Sequence, residues 1–156
     1  MNQSNAVKYP GETATPAQVF RLAEEYRKAS EILVQQGRRG EPLSRAPCRL
    51  SAIHAIELYL NAMLLHAGQQ TSSIRGMKHD LAARVKLALK GGLQLRKRTA
   101  AHLATLAENR EYLVIRYDAE MNSTVSQINR LIATLNEIAL KVNKIIDQPN
   151  AGAQNN

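Results

Sequence analysis

The chain has 156 residues, 44% of them hydrophobic, and a net charge of +8. That length buries most of one domain's apolar surface without staples, and the apolar content excludes a disordered tail. The lone cysteine, Cys48, excludes an internal disulfide, and with no signal peptide in view a reducing cytoplasm is the expected compartment.

In chain order, residues 1–14 are polar and read as a flexible tail, and a single domain is expected over 15–147. Thr15-Pro16-Ala17-Gln18 is a helix start: Thr15 caps, Pro16 takes the first helical position and Gln18 reaches back. Val19, Leu22, Ala23, Tyr26, Ala29 and Leu33 then recur at helical spacing until Gly37. Arg38 to Pro47 reads as a loop broken by Gly40, Pro42 and Pro47.

A second helix is expected from Cys48 to Ala67, closed by Gly68. It is apolar around most of its circumference, which predicts a central position. It is too short and too interrupted by His54, Glu57 and Asn61 to span a bilayer. A third helix is expected over Lys78–Lys90, stopped by Gly91-Gly92, and a fourth over Leu95–Ile115. The last, Ser123 to Ile146, carries a candidate capping box at Thr124 and Gln127. Its stripe runs through Val125, Ile128, Ile132, Leu135, Ala139, Val142 and Ile146, with Leu131, Ile138 and Ile145 as a flank. Residues 148–156 read as a second tail. The pattern predicts an all-α bundle of about five helices with no strand.

The basic charge is concentrated. Arg84, Lys86, Lys90, Arg96, Lys97 and Arg98 lie between Leu81 and Arg98 with no acidic residue among them. A charge run is most often a solvated face. The alternative is a surface that contacts phosphates, although no aromatic residue interleaves to stack bases. The four histidines are scattered and nothing pairs with Cys48, so no metal site and no cofactor are expected. Gly91-Gly92 lacks the Lys-Ser/Thr of a phosphate loop.

Two polar groupings stand out. His54, Glu57 and Asn61, spaced three and four apart, form one stripe on a mostly apolar helix. They are its solvent edge, or His54 and Glu57 pair with each other, or the stripe lines a cleft that offers an acid, a base and a hydrogen-bonding amide. The second grouping runs from Glu108 through Arg110 to Arg116, Tyr117 and Asp118, where helix-end cations and tyrosine packing are the plainer reading.

The ordered set Ser51-Ala-Ile-His-Ala-Ile-Glu-Leu-Tyr-Leu-Asn-Ala-Met-Leu, Lys78-His79-Asp80-Leu81 and Arg116-Tyr117 resembles the HEPN domain pattern over Thr15–Ile146. The resemblance implies an all-α bundle that forms a homodimer and binds or cleaves RNA, or binds a nucleotide. It also implies a possible protein partner such as an antitoxin, in toxin–antitoxin, phage-defence or RNA-processing systems, with no membrane contact. Catalytic members pair an Arg with a His across four to six intervening residues. From Arg110 that His would stand at position 115, which is Ile115. Arg49 and His54 meet the spacing but open the second helix, outside the family's usual place for the pair. The expectation is a binding module, non-catalytic or weakly catalytic, with His54, Glu57, Asn61, Arg110, Arg116 and Tyr117 as binding candidates. The alternatives are a metal-independent endoribonuclease using Arg49 and His54, and a structural helical adaptor.

Overall fold

The structure is a computed structural model that describes residues 6–121 and 124–147. It is all-α, and among the described residues no strand forms beyond an isolated bridge between Arg38 and Glu41. The described helices are α1 (Pro16–Val34), α2 (Ala46–His66), α3 (Thr71–Gly76), α4 (Leu81–Lys90), α5 (Lys97–Glu108), α6 (Glu111–Tyr117) and α7 (Ile128–Ile146). A single 3₁₀ turn, Pro42–Arg45, leads into α2. None of them is long and apolar enough to cross a membrane.

The Thr15 capping box forms with both of its bonds: Gln18 N–H donates to the Thr15 hydroxyl, and Thr15 N–H donates to the Gln18 side chain. α2 lies at the centre, against α1, α4, α6 and α7. Its all-round apolarity is therefore satisfied within one chain: Ile56, Tyr59, Leu60, Met63 and Leu64 are fully buried. The expectation of a homodimer rests on the family resemblance alone. Pro47 does not break the chain; it occupies the first turn of α2, where its missing N–H costs no hydrogen bond.

α1 presents a face rotated from the expected stripe. Ala23 and Ser30 are buried, with Val19 and Phe20 against the core, whereas Leu22 and Tyr26 are exposed. Arg27 and Glu24 on the same helix meet Tyr59, whose buried phenol requires polar partners. Arg27 Nε donates to its oxygen at 3.1 Å, and its own hydroxyl donates to Glu24. Burial and the Glu24 carboxylate push the Tyr59 phenol well above its ordinary range, so it remains a donor.

Asp80 caps α4 through Ala83 N–H at 3.0 Å, and the chain leaves α4 through Gly92 at φ +110, where Leu93 N–H donates to Ala88 O. The expected fourth helix is two helices. Arg110 adopts a left-handed conformation, φ 49, and redirects the chain between α5 and α6. The α7 side chains that face the core include Leu131, Thr134, Leu135, Ile138, Ala139 and Val142, so the expected flank is at the centre of the buried stripe. α7 begins at Ile128, and Gln127 makes no side-chain capping bond. Ser123 and the tail at 148–156 lie outside the described residues.

Glu137 joins α7 to the start of α5. It accepts from Arg96 N–H at 2.9 Å, from Lys141 Nζ at 2.7 Å and from the Thr99 hydroxyl. Burial raises its carboxyl, but these donors outweigh burial and hold it at about 2, against an ordinary 4.5. A depressed carboxyl contributes stability that is complete above the unfolded value and is lost as pH falls through the folded one. Glu137→Gln should therefore flatten the decline of stability over that acid window, by at most about 3 kcal/mol. Urea melts of both proteins at neutral and acid pH measure this, and parallel declines would refute it.

Candidate functional site

α2 carries His54, Glu57 and Asn61 onto one wall of a cleft of about 680 Å³. The other walls come from Val19 and Leu22 of α1, from Ile74 and Arg75 of α3, and from Lys78, His79 and Arg84 around the start of α4. Residues 9–12 and Ala14, expected to belong to the tail, line it as well. Of the readings of the α2 stripe, the geometry favours the cleft, with Glu57 paired to His79 and Arg84. The exposed Leu22 and Tyr26 have their reason here: Leu22 borders the cleft, and Tyr26 meets the His54 ring edge-on at 4.5 Å.

Glu57 is the hub. Its carboxylate faces His79 Nδ1 at 3.3 Å and Arg84 Nη2 at 3.5 Å. Arg84 Nε donates to Asn61 Oδ1 at 2.7 Å, while its terminal nitrogens donate to the carbonyls of Asp80 and Ile74. Arg84 is only 2% exposed, so its place in the basic surface is corrected: it is an internal strut of the cleft. The signal was present in the sequence, because position 84 falls on the apolar stripe Leu81, Val85, Ala88. Burial lowers its basicity, and Glu57 and Asp80 oppose that effect.

Burial holds the His54 imidazole below its ordinary range. Glu57, one turn away, works against this shift, and Arg116 and His79 reinforce it. A neutral ring can accept a proton when an anion arrives. Arg116 is thus close enough to act on His54, although it does not line the cleft. The α6 side chain that approaches the site is Tyr112, whose ring lies 5.2 Å from that of His79.

Other candidates are placed elsewhere. Arg110 is exposed at the α5–α6 junction, and Tyr117, 77% exposed, closes α6 away from the cleft lining. Arg49 and His54 do not meet: five residues along a helix places them on different faces, and Arg49 is buried against Glu111 at 3.2 Å. Ile115 is buried in the core. Lys86, Lys90, Arg96, Lys97 and Arg98 are exposed, and Arg130 of α7 joins them by donating to Arg98 O. Among the described residues no cluster of His, Cys, Asp or Glu could hold a metal ion.

Sequence reasoning missed Arg75, Lys78 and His79 as site residues. His79 stood within a quoted motif, but nothing in its spacing from Glu57 reveals that the α3–α4 turn brings the two together. The chain matches no protein-family model, no curated protein and no solved structure.

Proposed function

We propose that this chain is a HEPN-like binding module that takes RNA or a nucleotide at the α2 cleft and lacks the family's cutting pair. The observation that carries this reading is the convergence of two imidazoles, two amides and two cationic side chains, Arg75 and Lys78, on one cleft against two carboxylates, Glu12 and Glu57, with Arg84 as its internal strut. Its volume lies in the range of small-molecule sites. The apolar walls at Val19, Leu22, Leu58 and Ile74 suit a base, and the cations and imidazoles suit a phosphate. The exposed cations from Lys86 to Arg98, with Arg130, offer a polymer a second, electrostatic contact.

Anisotropy titrations with a short single-stranded RNA, in the presence of EDTA, test the reading. His54→Ala should weaken binding roughly tenfold, as loss of a charge-assisted hydrogen bond does. Wild-type affinity should rise as pH falls through the depressed range of His54, because an imidazolium holds a phosphate better than neutral imidazole. Replacing Arg96, Lys97 and Arg98 together with alanine should lower the salt slope while leaving a mononucleotide's affinity unchanged. Absence of binding to both RNA and nucleotides would defeat the reading. Robust cleavage under EDTA would defeat its non-cutting part.

A further inference from the structure

The segment before α1 is part of the cleft, yet it is held lightly. Tyr9 is 56% exposed and Val7 is 98% exposed, so little apolar burial anchors the segment. Among the described residues, a ring contact and a hydrogen bond tie it to α3. The Arg75 guanidinium stands 4.3 Å from the centre of the Tyr9 ring, and the Thr71 hydroxyl donates to Glu12 O at 3.1 Å. Gly11, at φ +83, turns the chain between them, and Glu12 accepts from Tyr9 N–H to close the turn. Two exposed contacts of this kind are readily exchanged, which puts the segment at the low-stability end of the molecule.

What the segment covers gives it a role. Arg75 is one of the cleft's cations, and Tyr9 occupies its face. Glu12, whose carboxylate closes the turn on Tyr9 N–H, lines the same cleft as Arg75 and Lys78. We infer that residues 9–14 act as an autoinhibitory strap: Tyr9 masks Arg75, and Glu12 supplies negative charge that an anionic ligand must displace. The inference rests on the proposed anion-binding reading of the same cleft. Ligand binding and strap release are then linked, so anything that holds the strap open raises affinity.

The test compares wild type with Tyr9→Ala, Glu12→Gln and the double variant, using inorganic pyrophosphate as the probe in calorimetric titrations. These positions are exposed, so the fold should survive, and circular dichroism checks this. The double variant should bind roughly three- to tenfold more tightly, the loss of one cation–π contact and one opposing charge. Phenylglyoxal labelling mapped by mass spectrometry should find Arg75 modified faster in Tyr9→Ala. Pyrophosphate binding by wild type that the variants leave unchanged or weaken would overturn the strap and leave the binding reading standing. Unchanged labelling of Arg75 would overturn the masking. If no protein binds pyrophosphate, RNA or nucleotide, strap and binding reading fall together.

Discussion

Arg49→Ala should destabilise the protein by about 3–5 kcal/mol, the usual cost of removing one partner from a buried ion pair. Arg49 is 7% exposed and Glu111 is 1% exposed. Arg49 Nη1 donates to Glu111 Oε1 at 3.2 Å and to Ser126 O, while Ser126 N–H and Oγ donate back to Glu111 at 3.0 and 2.9 Å. The clamp ties α2 to the start of α6 and to the chain entering α7. Without the guanidinium, the Glu111 carboxylate stays buried with only neutral donors. A loss of that size is a large part of a typical domain's stability, so the urea midpoint should fall steeply at little change in slope. The double variant Arg49→Met with Glu111→Gln should recover much of the loss, because no unpaired charge remains. A single-variant cost under about 1 kcal/mol would show that water reaches the pair. Arg49 thus supports the fold, and α6, which the clamp holds, presents Tyr112 to His79.

Ile115→His should not restore cutting. Spacing alone makes the substitution attractive, since it completes an Arg–x₄–His pair with Arg110. Ile115, however, is 8% exposed and packs in the core cluster, whereas Arg110 is exposed in a left-handed turn. The variant removes a well-packed aliphatic side chain and buries an imidazole without partners. It should cost about 2–4 kcal/mol, seen as a lowered thermal midpoint. RNA incubated with the variant under EDTA should remain as intact as with wild type. A stable Ile115→His protein with new metal-independent cleavage would overturn both the packing argument and the non-cutting reading.

The differences between sequence and structure have local causes. The first cap, the Gly91-Gly92 stop and the central place of α2 were legible because they depend on neighbours in the chain or on overall apolarity. The short α3 was not legible. Six residues carry too little periodicity, and its anchor is one side chain, Ile74, buried against distant partners. The break at Arg110 had one weak local signal, Asn109, a cap-favouring residue that ends α5, while the Glu111 clamp to Arg49, 62 positions away, lay beyond any short-range reading.

By itself the sequence determined the helical class, the start of α1, the buried character of α2 and the polar stripe His54, Glu57, Asn61, because helical period and capping are short-range properties. Only the tertiary structure decided what faces that stripe. It brought His79 to Glu57 across 22 positions, turned Arg84 from surface charge into internal strut, and laid residues 9–12 and Ala14 along the cleft. Such pairings depend on which helix faces which, and that is set by packing around α2, where burying Arg84 is tolerable only because Glu57, Asn61 and two carbonyls meet it.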